Sequence, residues 1–92
     1  MRVADLEALY TKVMRPAPDL FTANTKFTLR VWDGMDGCWC DCVTGDKLHV
    51  LTHWAERTHN GTEKTKFADI DYYCIFPADT RMLWSGDNEM FR

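Results

Sequence analysis

The stretch from Phe27 to Val43 limits the fold more than any other part of the chain. Phe27, Leu29 and Val31 alternate with Thr28, Arg30 and Trp32, and after Asp33-Gly-Met-Asp-Gly37 a second alternation sets Cys38, Cys40 and Cys42 against Trp39, Asp41 and Val43. A period of two puts one set on each face of a sheet. The glycine-rich turn between the two runs supplies the positive φ angles of a hairpin. The expected strands run from about Lys26 to Trp32 and from about Cys38 to Val43.

The flanking segments read as helices. Val3, Leu6, Leu9, Tyr10, Val13 and Met14 fall on one side of a helix over residues 4–14, with Asp5 and Glu7 in its first turn and Lys12 and Arg15 near its end. Pro16 and Pro18 stop it, and residues 16–26 form a connector. A second helix starts at the N-cap Asp46, carries Leu48, Val50, Leu51, Trp54, Ala55 and Thr58, and stops at Asn60-Gly61. After a polar loop, Ile70, Tyr72, Cys74 and Phe76 alternate with Asp71, Tyr73 and Ile75 as a third strand, although Phe67 to Ile70 also fits one helical turn before it. Pro77 to Thr80 interrupts the pairing, and Arg81 to Trp84 reads as a last short strand. The order is α-β-β-α-β, with a further β at the end. A hairpin followed by a helical crossover predicts one α+β domain over residues 1–92. It is a two-layer sandwich, a small antiparallel sheet with both helices on one face.

A chain of 92 residues buries only about two-thirds of its unfolded surface, so its core must use its five Phe, four Trp and three Tyr. No apolar run is long enough to span a bilayer. Met1 to Glu7 lacks the apolar core of a secretory signal. The expected location is the cytoplasm, where the four cysteines stay as thiols and the Asn60-Gly-Thr62 sequon carries no glycan. Net charge is −3 and segregated: residues 27–46 carry −3 and residues 47–66 carry +2. An acidic balance argues against nucleic acid as the sole partner and permits a patch that meets a basic protein surface, ordinary solubility being the plainer reading of the same charge.

Three sets of residues could carry chemistry. Cys38, Cys40, Cys42 and Cys74, with His49, His53 and His59, are the residue types that hold zinc, and His49 and His53 are four apart on a helix. Thiols at i, i+2 and i+4 on a strand span roughly 13 Å, however, and do not converge on one ion without a bulge. They are expected to pack in the core, with no metal and no cofactor. Cys42 precedes the second helix closely enough to feel its dipole, yet nothing along the chain fixes a Cys–His pair, and no catalytic residue is assigned. The acidic pairs Asp33/Asp36 and Asp69/Asp71 have no third carboxylate for magnesium, but suit charge-assisted bonds to a partner's Arg and Lys. Trp32 and Trp39 stand symmetrically about the turn, as cross-strand neighbours would. With the cysteines beneath the helices, these indoles and Asp41 fall on the opposite, open face. The candidate partner-binding set is Trp32, Asp33, Asp36, Trp39, Asp41, Asp69 and Asp71. The alternative is that this face is sheltered by the chain's own C-terminal segment or by a second copy of the chain.

Leu29-Arg-Val-Trp-Asp-Gly-Met-Asp36, Asn60-Gly-Thr-Glu-Lys-Thr-Lys-Phe67 and Asp69-Ile-Asp-Tyr-Tyr-Cys-Ile-Phe-Pro-Ala-Asp-Thr-Arg-Met82 resemble segments of small phage and prophage proteins. In size, acidity and lack of enzyme motifs the chain is also similar to anti-CRISPR inhibitors. The resemblance carries no functional residue with it. It implies a non-enzymatic protein of the host cytoplasm that binds a host complex stoichiometrically, such as a CRISPR effector, through a basic surface of that complex. The alternative from the residues is a zinc-stabilised or nucleic-acid-binding regulator using the cysteine-rich strand and the basic loop.

Overall fold

A computed structural model of the chain describes residues 2–61 and 73–80. In chain order these form α1 (Val3–Met14), α2 (Leu20–Ala23), β1 (Phe27–Asp33), β2 (Cys38–Gly45), α3 (Lys47–Arg57) and β3 (Tyr73–Pro77). Among the described residues the sheet has the order β2-β1-β3, and both pairings are antiparallel. α3 lies across all three strands and α1 packs on α3. The architecture is the α+β two-layer sandwich that the hairpin and the two amphipathic helices require.

Local signals explain most element ends. Arg15 leaves α1 in a left-handed conformation with its N–H on the Thr11 carbonyl, just before Pro16. The Asp46 carboxylate caps α3 by accepting the His49 N–H at 2.9 Å. After α3 the chain turns through His59, Asn60 and Gly61, all at positive φ. A Cβ at Gly61 would stand 3.0 Å from both Trp54 and Val13 side chains, so glycine is needed there for space as well as for φ.

α2 lies inside the segment expected to be a mere connector. Leu20 is buried, and the Phe21 ring packs on Tyr10 at 5.6 Å and on Phe27 at 5.5 Å. Those contacts compensate the entropy of ordering a four-residue helix that could not persist alone. The Asn24 amide donates to the Leu20 carbonyl at its end.

The core is one cluster that includes Leu6 and Tyr10 from α1, Leu20, Phe27 and Leu29, Val50, Leu51, Trp54 and Ala55 from α3, and Ile75 from β3. The Tyr10 hydroxyl accepts the Ile75 N–H at 2.9 Å, which ties α1 to the third strand. Burial, with the neighbouring Cys74, pushes the Tyr10 phenol well above its usual range.

Two expectations about β2 and β3 are corrected. The β1–β2 register shifts between Leu29 and Arg30, so Val43 pairs with Leu29 and Asp41 with Arg30, leaving Cys42 as the extra residue. Strict alternation placed Val43 with Trp39 and Asp41, whereas Val43 and Cys42 both pack against the core. Strand pairing stops at Pro77 as expected: it ends β3 opposite Phe27, and the Ala78 N–H reaches the Lys26 carbonyl. Pro needs no donor at the end of a strand that is outermost among the described residues. Cys74 is buried but lies opposite Arg30, away from the helices. The suggested strand over Arg81 to Trp84 lies outside the described residues, as does the part of the third strand before Tyr73.

Candidate functional site

The hairpin tip is built by its first aspartate. Asp33 Oδ1 accepts the N–H of Met35 at 2.9 Å and that of Asp36 at 3.2 Å, and the Asp33 carbonyl accepts the Gly37 N–H at 2.7 Å. Gly37 takes φ 67°, the left-handed conformation that closes the loop. Pinned in this way, the turn holds Met35 outward with 98% of its surface exposed. The thioether stands beside Asp33 and the exposed Asp36, an apolar point within an acidic frame.

The bonds from the Asp36 and Met35 N–H groups hold the Asp33 carboxyl below its usual range. A depressed pKa favours the folded tip above the ordinary aspartate value of about 3.9 and withdraws that support as pH falls through the lower folded value. The Met35 and Asp36 amide resonances are therefore expected to keep their native shifts above pH 5. They should move together in strong acid, before the core amides do. Titration of an Asp33→Ala variant should abolish that early step.

Behind the tip, on the face away from the helices, Trp32 pairs with Trp39 across the strands. Their rings meet edge to face at 5.3 Å, and Trp39 meets Phe76 in the same way at 5.1 Å. Further along, Arg30 Nε donates to Asp41 Oδ1 at 2.7 Å and Arg30 Nη2 donates to the Thr80 carbonyl at 3.0 Å. The guanidinium lies over the Phe76 ring at 5.1 Å. Next to it the Thr28 and Thr44 hydroxyls bond at 3.0 Å.

This face is not open across its width, which corrects the expectation drawn from a single layer of helices. Thr28, Arg30, Cys74 and Phe76 are all buried, Arg30 to 5% exposure. Trp32 and Trp39 are half-buried, while the Asp41 side chain keeps 68% exposure. Four of the seven candidate binding residues thus lie at the turn end of the hairpin, Trp32, Asp33, Asp36 and Trp39, while Asp41 lies further along it, opposite Arg30 in mid-strand. Asp33 and Asp41 spend part of their charge inside the molecule, one on the turn and one on Arg30. Asp69 and Asp71 lie outside the described residues.

Two residues matter here that alternation and charge did not single out. Met35 was legible as an apolar residue at the apex of an Asp-Gly turn. Arg30 was legible only as a charge in the middle of a strand, across a hairpin from Asp41.

The thiols divide between the faces. Cys38 and Cys40 pair with Asp33 and Val31, Cys42 packs toward the core, and Cys74 sits beside Arg30 on the far side. Loss of hydration pushes the Cys38 and Cys42 thiols up, and neighbouring thiol and carboxylate groups add to this, while Arg57 partly offsets it at Cys42. Among the described residues, no three of His, Cys, Asp and Glu are grouped so as to hold a metal ion, and no helix is long and apolar enough to cross a membrane. Comparison of the chain with family models, curated proteins and solved structures finds no match.

Proposed function

We propose that this chain is a binding protein without catalytic activity, which docks the tip of its β1–β2 hairpin on a basic surface of a partner protein. The observation that carries this reading is Met35, fully exposed between two aspartates on a turn that the Asp33 carboxylate makes rigid. A pre-ordered turn loses little entropy on docking, and an exposed apolar side chain gains by burial. The −3 charge of residues 27–46 steers a basic surface toward it. Trp32 and Trp39 form the half-buried aromatic flank of the same contact. The class of partner comes from the resemblance to small phage proteins: a bacterial host-defence complex, modulated by stoichiometric binding.

Capture from bacterial lysate by the immobilised chain tests the reading. The wild-type chain is expected to retain a protein partner in a salt-sensitive way. A Met35→Asp/Asp36→Lys variant with an unchanged circular dichroism spectrum should lose it by tenfold or more. Equal capture by the variant, or retention of plain DNA or RNA alone, overturns the proposal.

A further inference from the structure

His49 and His53 sit four residues apart on α3, a spacing that stacks side chains on one stripe of a helix. Their ring centroids stand 4.8 Å apart with the planes at 70°. Metal–imidazole bonds of about 2.1 Å, at nitrogen–metal–nitrogen angles of about 90–109°, put the centroids of two imidazoles on one ion about 4.5–5.2 Å apart. The pair already has the separation of a chelate. Both χ2 torsions are terminal and broad, so the two ring nitrogens can turn to a common point while the helix stays still.

Two features place His49. Its N–H is held by Asp46 at the helix start, which fixes the backbone from which the ring projects. The ring itself lies over Gly45, where a Cβ would come within 2.7 Å of His49 Cδ2. Any other residue at position 45 would push the imidazole aside. His49 is exposed and His53 half-buried, so an ion can reach both.

We propose that His49 and His53 form a bidentate surface site for a divalent transition-metal ion of the zinc, nickel or copper class. Imidazole suits these ions, whereas magnesium and calcium require oxygen ligands. With no third His, Cys, Asp or Glu grouped with the pair among the described residues, water completes the coordination. The ion bridges one turn of α3. It binds the folded helix in preference to the unfolded chain and therefore raises stability by linkage.

The probe is nickel chloride, added to the intact wild-type chain. About tenfold excess over the dissociation constant is expected to raise the melting temperature by about 7 °C. His49→Gln and His53→Gln should each lose most of that shift. In proton spectra of the wild type, paramagnetic nickel should broaden the His49 and His53 ring signals before those of His59. The proposal is overturned by a melting temperature that does not move. It is equally overturned by a shift that survives in both variants, or by first broadening at His59 or beside Cys38 and Cys40.

Discussion

Trp54→Ala is expected to cost about 3–5 kcal/mol of folding stability, the largest single loss expected among the described residues. Trp54 is wholly buried in the core cluster, on the side of α3 that meets α1. Its indole meets Tyr10 edge to face at 4.9 Å, and the chain leaving α3 folds back over it at Gly61. Truncation removes the packing of α1, α3 and the α3 exit at once. A domain of this size holds about 5–14 kcal/mol in all, so the variant should be marginal at 37 °C. Trp54→Phe should cost less than half as much. It keeps most of the ring, and it removes an indole N–H that has no hydrogen-bond partner among the described residues. Urea unfolding followed by circular dichroism checks both. A loss below about 1 kcal/mol for the alanine variant would mean the indole is not the centre of the core.

Asp41→Ala is expected to cost about 1.5–3 kcal/mol, although the residue it changes is mostly exposed. The cost lies in what remains. Arg30 is buried, its Nη1 has no hydrogen-bond partner among the described residues, and after the substitution it would keep only the Thr80 carbonyl and the Phe76 face. A buried charge that loses its counter-ion costs more than the pair contributes when intact. Exposure of the Asp41 carboxylate screens the attraction and keeps the figure well below that of a fully buried pair. The double variant Arg30→Met/Asp41→Ala should therefore recover much of the loss, because a flexible apolar side chain fills the same space without charge. If the single and double variants lose the same amount, the guanidinium has found water, and the far face is looser than its burial indicates. The same comparison bears on the binding proposal: Asp41→Ala weakens the scaffold near the tip, whereas the Met35 and Asp36 substitutions leave Arg30 paired.

The parts of the fold written in short-range patterns were legible from the chain alone. Alternation at period two marked β1 and β2, apolar spacing near 3.6 marked α1 and α3, and Asp46 and Asn60-Gly61 marked where α3 starts and stops. Each signal depends on residues within one or two turns of one another, so the physics that sets it is contained in the local sequence. The turn was legible for the same reason, because its aspartate bonds to backbone only two and three residues on.

What the local patterns could not decide was how the pieces would meet. The shift at Leu29/Arg30 is a choice of pairing between strands, and one extra residue there turned Val43 to the core and set Asp41 against Arg30. Burial of Arg30 depends on acceptors 11 and 50 residues away. α2 exists because Phe21 finds Tyr10 and Phe27. These outcomes are settled by contacts between distant segments, whose energy belongs to neither segment until both are in place. The amino-acid order alone determined the two layers and the acidic hairpin; only tertiary packing decided which of its charges are spent inside the molecule and which stay exposed to solvent.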